Sequence, residues 1–506
     1  MKKFLMICLV MLLALGLVAC KKDNGGEEKE KNLFWDADQN GIEDWQEKEI
    51  TLRYATWQYT NPEVETIDTL LVKEFTKKYP NIHVEMQILG DDVGVGGELW
   101  EAAFLGLLEA DGADLPDVFL INRLENILPY GLLADLTSFY DNDKDTEYIF
   151  DSLKDLGLYD GKRYCIPTFI YPEVWVVNLT LLKQYKTPIP SYDWTWDQME
   201  AIAKAVGNDP TRKTIGLYGG LSGPDQYYFE LPKVMKLASE NEADREAGKK
   251  WLAYGYDGTR FNFDDVAFMN AMKRLEDGMS EQDESGYGWL VGQLSADTIR
   301  EWYGSTNGDP RYLGKVAIWR QPAWEFKDYM NDLQFEWDIY PGPSGVTGGN
   351  TDIAGVCQLC ENKAAAYQLL KWMSFGREGL VKRYELYETY KDELYVSADN
   401  YPYPIVDYGI NKNGVNEVWD NIPYKLTAPG FGAPEFIESL RNGAIKANKE
   451  VIGWDAAENE FKEYFYRIVM EGAKYATLKD TINETANAAQ QLQRAVVADA
   501  IQNMPK

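Results

Sequence analysis

A twelve-residue stretch near the N-terminus carries the most explicit chemistry in this chain. Asp36, Asp38, Asn40, Asp44 and Glu47 put oxygen side chains at loop positions one, three, five, nine and twelve. Gly41 takes the sharp-turn position six, and Ile42 offers its backbone carbonyl at position seven. Calcium gathers several hard oxygen ligands, and this is the EF-hand donor spacing, so a Ca2+ ion is expected over residues 36–47. An acidic, solvated linker is the alternative, because no helix pattern enters the loop and an extended run starts by Ile50. The cysteines promise less. Cys357-Gln358-Leu359-Cys360 has the spacing of a redox pair but lies in an apolar, strand-like run, and the single histidine, His83, falls on the polar face of another strand. A metal centre would need more ligands nearby. Cys165, Cys357 and Cys360 therefore read as buried structural thiols. Ser-His-Asp catalysis would need the histidine in a cleft.

The N-terminus is a separate matter. Lys2-Lys3 precedes an apolar run from Phe4 to Val18, too short and wrongly flanked for a spanning helix, which reads as a secretory signal. It ends in Leu17-Val18-Ala19-Cys20, the form of a bacterial lipobox. Residues 1–19 are then a signal peptide, and Cys20 is the acylated first residue of the mature protein. Two or more acyl chains on one residue would hold it on a membrane surface, so an extracytoplasmic, lipid-anchored protein is expected. Loss of Lys2 and Lys3 takes the net charge from −30 to −32. So anionic a surface repels nucleic acid.

At 506 residues the chain exceeds one ordinary core, and two or more domains are expected. Residues 20–35 form a charged tether without apolar periodicity. A strand over Ile50–Trp57, a helix after Asn61-Pro62 with Val64, Ile67, Leu71 and Phe75 on one face, and an alternating strand from Ile82 make a βαβ unit, hence a parallel sheet. Further strands are expected over 117–121 and 314–319. Thr195-Trp196-Asp197-Gln198 is a capping box opening a helix to Gly207. Asn362–Phe375, with Gly376 as C-cap, and Thr481–Ala500 read as helices. The glycines near Gly94 lack nucleotide-loop spacing. The run from Gly161 to Asn178 carries two prolines, Pro167 and Pro172, each of which removes a ladder donor and so argues against a central strand. It reads either as an edge strand with a loop, or as a strand that leaves one α/β domain and enters another.

The order of motifs decides between these. The lipobox, the strand ending at Trp57, Leu115-Pro116-Asp117-Val118-Phe119, Tyr130-Gly131-Leu132-Leu133-Ala134-Asp135-Leu136, Asp160-Gly161-Lys162-Arg163-Tyr164-Cys165-Ile166-Pro167 and Val176-Val177-Asn178 resemble the extracellular solute-binding proteins of the maltose and oligosaccharide ABC-importer type, family 1. Trp194-Thr195-Trp196-Asp197, Gly314-Lys315-Val316-Ala317, Pro341-Gly342-Pro343 and Asn362-Lys363-Ala364-Ala365-Ala366 continue the resemblance. It implies an α/β fold of the periplasmic-binding-protein type II, with two lobes joined by a multi-strand hinge. Residues 50–169 and 354–415 would form lobe 1, and residues 170–353 and 416–506 lobe 2. Ligand would sit between the lobes, closure would bury it, and the closed form would dock permease subunits of an ABC importer.

The resemblance also implies contact positions. Trp57 and Gln58 end the first strand, Asn122 and Arg123 follow the Pro-Asp-Val-Phe strand, and Tyr171 and Glu173 flank the hinge. Gln226 and Tyr227 lie in a second-lobe contact segment. Trp319, Gln321 and Trp324 match an aromatic segment whose tryptophan is displaced by about one position, and Asp352 falls on the second crossing. Sugars offer apolar faces to aromatic rings and hydroxyls to Asn, Gln, Asp and Arg. The implied protein is a monomeric, non-enzymatic sugar carrier. A carrier for another small solute, a surface glycoside hydrolase or lyase using paired carboxylates, and a lipid-anchored adhesin are the competing readings. The calcium loop resembles the solitary loops of dockerins and thrombospondin repeats.

Overall fold

The computed structural model describes residues 36–37, 40–89, 99–110, 114–207, 211, 213–219, 224–280, 289–291, 294, 296–304, 308–325, 329, 332–390, 393, 402–422 and 434–503. Cys20, the tether, Asp38 and the glycine run near Gly94 lie outside them. The chain divides into two compact units, Met1–Asp44 and Trp45–Lys506.

In the second unit, β1 (Ile50–Ala55), helix α1 (Ile67–Lys78) and β2 (Ile82–Gln87) form the expected βαβ element, with Ile50 opposite Ile82 in a parallel pair. Leu71 and Phe75 of α1 are buried, but Val64 is exposed. The helix starts at Ile67 and not after Pro62. Thr66 and Thr69 cap it reciprocally, the Thr66 hydroxyl accepting the Thr69 N–H at 3.3 Å and the Thr69 hydroxyl the Thr66 N–H at 2.8 Å, a capping box closed by Thr where Glu or Gln is usual. Helix α2 (Leu99–Glu109) leads to β3 (Val118–Ile121), parallel to β1. A short hairpin, β4 (Leu158–Tyr159) and β5 (Lys162–Arg163), turns through Asp160 and Gly161 at φ 49° and 74°, the left-handed pair that a tight hairpin needs.

The strand β6 (Ile166–Asn178) follows, thirteen residues long and buried throughout. Helix α3 (Trp196–Gly207), β7 (Ile215–Tyr218), β8 (Leu290–Val291), β9 (Val316–Pro322), β10 (Trp337–Tyr340) and β11 (Gly348–Val356) come next, then helix α4 (Lys363–Met373), β12 (Tyr403–Pro404), β13 (Ala444–Lys446) and the helices α5 (Trp454–Glu471) and α6 (Tyr475–Gln502). The predicted capping box of α3 is present, Thr195 N–H donating to Gln198 Oε1 at 2.8 Å and Gln198 N–H to Thr195 Oγ1 at 3.2 Å. Helix α4 ends at Ser374, not at Gly376, whose N–H reaches back to the Lys371 carbonyl at 2.8 Å and whose own position opens the next helix.

One sheet of eleven strands joins these elements, in the order β2-β1-β3-β11-β6-β9-β7-β8, with β10 and β12 also on β6 and β13 also on β11. Pro167 and Pro172 therefore sit inside a central strand, which their missing donors had argued against. The pairing shows why it tolerates them. β6 exchanges its neighbours along its length. On one flank β11 pairs with Ile166–Glu173 and β10 with Trp175–Asn178. On the other, β12 meets only Phe169 and Ile170, and β9 begins at Glu173. Tyr171 and Pro172 stand in the gap between β12 and β9, and the β11 ladder shifts register between Asp352 and Ile353, next to the partner of Pro167. Prolines survive where a ladder is interrupted.

Close backbone approach fixes the far side of the sheet. A Cβ on Gly216 of β7 would lie 2.0 Å from the Ala203 carbonyl oxygen of α3. Gly216→Ala must push α3 off the sheet, and overpacking of this kind costs about 1–3 kcal/mol or more. Scanning calorimetry should show a transition several degrees lower; an unchanged midpoint would mean that α3 is not held against β7.

Candidate functional site

The interruption in β6 places chemistry as well as prolines. Tyr171 and Glu173 are two apart on the strand and share one face, and in register they stand opposite Asn350 and Gly348 of β11. Asn350 Nδ2 donates to Glu173 Oε1 at 3.2 Å. The Tyr171 ring meets Trp324 edge-on, centroids 5.7 Å apart. From β9, Arg320 reaches the same region and serves three carboxylates: Asp225 at 2.7 Å, Glu230 at 3.3 Å and Glu173 at 3.8 Å. Its guanidinium also lies over the Phe229 ring, 4.8 Å from the centroid. Glu173, Asp225, Tyr228, Arg320, Trp324 and Asn350 open on a hollow of about 680 Å³, closed from the C-terminal side by Lys446 and by Glu458 of α5.

Electrostatics follow from burial. Desolvation pushes the Glu173 and Asp225 carboxyls above their ordinary range, against the pull of Arg320. Glu230, fully enclosed, is pushed up to about 8 by burial, with Glu173 and Asp225 adding to it and Arg320 opposing. One guanidinium shared by three carboxylates cannot compensate all of them. Burial alone would loosen the Arg320 proton, but the three acids hold it well above the usual arginine range.

Trp324 of this hollow touches Tyr171, which lines a second, narrower hollow together with Trp57, Gln58, Thr168 and Asp352. The Trp57 indole N–H donates to Asp352 Oδ2 at 3.3 Å, Lys449 pairs with Asp352, and the Lys449 ammonium lies 4.8 Å from the Trp57 ring centroid. Trp57 is thus almost fully enclosed. Asn122 and Arg123 follow β3, where both backbone N–H groups donate to Glu101 Oε1, at 2.9 and 2.7 Å, and the Arg123 side chain pairs with Asp455. They line neither hollow.

The remaining expected positions point into the core. Tyr227 is fully buried, donates to Glu200 at 2.7 Å and packs edge-on against Trp196. Gln226 beside it is enclosed too, while Asp225 and Tyr228 of the same segment face the hollow. Trp319 is fully buried against Tyr329, and Gln321 accepts from Arg311. Strand alternation explains this: Trp319 and Gln321 share one face of β9, and Arg320 has the other. Reading alternation along 316–322 would have found Arg320. Behind the crossing, Glu450 accepts from the Thr351 hydroxyl of β11, and its other oxygen has no hydrogen-bond partner among the described residues.

In the first unit, the Asp36 carboxylate accepts the N–H groups of Asn40 and Gly41 at 3.0 and 2.7 Å, Asn40 Oδ1 accepts the Ile42 N–H at 2.7 Å, and Asp44 Oδ1 the Ala37 N–H at 3.0 Å. Gly41 has φ 92°, which the sharp turn requires. Among the described residues no three His, Cys, Asp or Glu side chains converge as a metal centre. Among the described residues Cys165, Cys357 and Cys360 are free and buried, and burial pushes the Cys165 thiol up.

A family model for bacterial extracellular solute-binding protein matches residues 60–375. The chain belongs to this family. Solved structures agree on the fold, that of a periplasmic binding protein of type II with two α/β lobes. An ABC substrate-binding protein from Listeria monocytogenes in complex with cycloalternan is 19% identical, with a TM-score of 0.55 over 88% of this chain and 100% of that one. The sugar-binding protein MalE from Xanthomonas citri is 15% identical, with a TM-score of 0.59 over 88% and 99%. A cyclic α-maltosyl-1,6-maltose binding protein from Arthrobacter globiformis is 16% identical, with a TM-score of 0.58 over 88% and 100%. Among the described residues of this solute-binding protein no helix is long and apolar enough to cross a membrane.

The buried acids make stability depend on pH. Burial raises Glu450 to about 7 and Glu230 to about 8, from 4.5. A carboxyl with a raised folded-state pKa stabilises fully below its unfolded value and loses that contribution as pH rises through the folded one. The thermal midpoint should therefore fall between pH 5 and 8. Glu450→Gln, which cannot ionise, should flatten the fall by on the order of 1 kcal/mol or more. Parallel curves for variant and parent would exclude Glu450 as the source.

Proposed function

We propose that this solute-binding protein captures a sugar, an oligosaccharide, between its two lobes and delivers it to the permease subunits of an ABC importer. The observation that carries the reading is Trp324 beside Glu173, Asp225 and Asn350 on the hollow of about 680 Å³, its ring backed by Tyr171 where β6 exchanges partners. Rings stack on the apolar faces of a pyranose, while carboxylates and amides take its hydroxyls. Relatives described in complex with cycloalternan or as binding maltosyl-maltose support the ligand class. The protein works as a monomer without enzymatic turnover, held outside the cell membrane through acylated Cys20. With lobe 1 as residues 50–169 and 354–415 and lobe 2 as residues 170–353 and 416–506, the hollow is the lobe 2 side of the cleft, over which lobe 1 closes. Binding should raise the thermal midpoint, by about 2.7 kcal/mol of stability when sugar reaches a hundred times its Kd. Trp324→Ala should weaken binding about tenfold or more, and Trp57→Ala less, since Lys449 covers that ring. Calorimetry in which neither variant binds more weakly would move the site elsewhere. New reducing ends on incubation with oligosaccharides would instead establish a glycoside hydrolase, and stabilisation only by non-sugar solutes a carrier of another class.

The same reading places one calcium ion on the loop of residues 36–47, with Asp36, Asp38, Asn40, Asp44 and Glu47 giving side-chain oxygens and Ile42 its carbonyl. The turn at Gly41 closing on the Asp36 carboxylate supports it. Chelator should lower the melting temperature of the parent and leave Asp36→Ala unchanged; no shift in either would leave the loop a linker.

A further inference from the structure

Carboxylates and cations are distributed unequally around the larger hollow. Arg320 is divided among Glu173, Asp225 and Glu230. Lys446 is paired with Glu458 at 2.8 Å, and the rim Lys462 leans on that same glutamate at 3.4 Å. These three are the cations that line the hollow among the described residues, and each is already held by an acid. In the second hollow Asp352 is likewise engaged, by Lys449 and Trp57. Acceptors are in surplus. The whole chain adds a net charge of −30.

From this we infer that the cleft selects its sugar by charge. It takes uncharged or amine-bearing saccharides and excludes uronic acids and sugar phosphates, with Glu173 and Asp225 as the discriminating groups. The inference rests on the sugar-carrier reading and narrows it. A hydroxyl or an ammonium arriving at Glu173 or Asp225 donates to a carboxylate that water has already left, a strong, charge-assisted bond. A ligand carboxylate or phosphate would meet those same oxygens with no cation to spare. It would have to break an existing pair, and breaking a buried pair strands a charge. Trp324, half-buried at this hollow, adds an aromatic ring, which favours an amine over an anion by cation–π attraction. Glu173 has the central position, because it is held by Asn350 of β11 and by Arg320 of β9 at the point where β6 crosses.

The test mixes three partial hydrolysates at equal concentration: neutral oligosaccharides from starch and plant cell-wall glucans and mannans, deacetylated chitosan oligomers, and oligogalacturonides from pectin. The mature protein is equilibrated with the mixture, and the retained species are identified by mass spectrometry. Neutral or amine-bearing species should be retained at least about tenfold over uronates. Equal or preferential retention of uronates overturns the charge selection while leaving the sugar-carrier reading intact. Retention of no sugar at all overturns both. Glu173→Gln should shift the ratio of uronate to neutral binding by about tenfold toward uronate, measured on protein whose melting curve matches the parent. If that variant does not fold, Asp225→Asn serves in its place. An unchanged ratio in a folded variant overturns the assignment of the discriminating groups.

Discussion

Everything in the larger unit hangs on one antiparallel pairing, that of β6 with β11. β6 carries β9, β10 and β12, and β11 carries β3 and β13, so within the sheet of the described residues the parallel β1–β2–β3 group and the β7–β8–β9 group are joined through these two strands. The pairing requires a close approach that glycine alone permits. A Cβ on Gly348 would lie 2.3 Å from the Glu230 carboxylate, which accepts the Gly348 N–H at 3.1 Å. A small residue at that point of β11 lets a buried acid of one half hold the backbone of the strand that leads into the other. Side-chain alternation then does the rest: Asn350 and Asp352 share one face of β11 and reach Glu173 and Trp57, while Thr351 points the other way to Glu450.

That geometry explains why so many charges can be buried here. Taking a carboxylate out of water is expensive unless it is paired and hydrogen-bonded. Arg320 supplies the pairing three times over, Asn350 and the Gly348 N–H supply hydrogen bonds, and Lys446 attracts Glu173 and Asp225 from the C-terminal side. The network is held by β6, β9, β11 and β13 together, so its acceptors are fixed before any ligand arrives. Preorganised acceptors lose little side-chain freedom on binding, which is where polar recognition otherwise loses affinity.

How much of this was legible in the sequence differs between fold and site for a physical reason. Strands and helices with strong periodicity, such as Ile82–Gln87, Trp196–Gly207 and the C-terminal helix, depend on local alternation and fell where expected. The boundaries of α1 and α4 did not, because Thr69 in place of Glu, and a serine in place of glycine, did the capping. Proline chemistry was read correctly for a ladder with fixed neighbours, but β6 changes neighbours, and a change of partner cannot be seen in the strand that undergoes it. Tyr171, Glu173 and Trp324, named through the shared order of motifs, do lie together where β6 exchanges partners. Tyr227 and Trp319 were not separable from cleft residues by type alone, since a large aromatic serves a core as well as a sugar platform. The alternation along 316–322 marks Arg320 as facing away from Trp319 and Gln321, but its pairing with Glu230, ninety positions away, leaves no local pattern.

The two interruptions in the central ladder coincide with residues that line the two hollows, and this bears on how the fold can work. In a two-lobed protein whose lobes are joined by strands, closure must bend those strands, and a ladder bends most easily where it has fewest bonds. Among the described residues the ladder on one flank of β6 passes from β12 at Ile170 to β9 at Glu173, and β11 shifts register between Asp352 and Ile353. Glu173 adjoins the first soft point and Asp352 lies at the second. Contacts made by Tyr171, Glu173 and Asp352 are therefore contacts made by the bending segments themselves. Their geometry toward a molecule in the cleft must differ between open and closed forms. A ligand shifts a conformational equilibrium only through such a difference. Contacts on a rigid part of one lobe, such as Asp225 or Trp324, can hold a ligand, but only groups whose positions change with the bend, or that meet across it, reward closure.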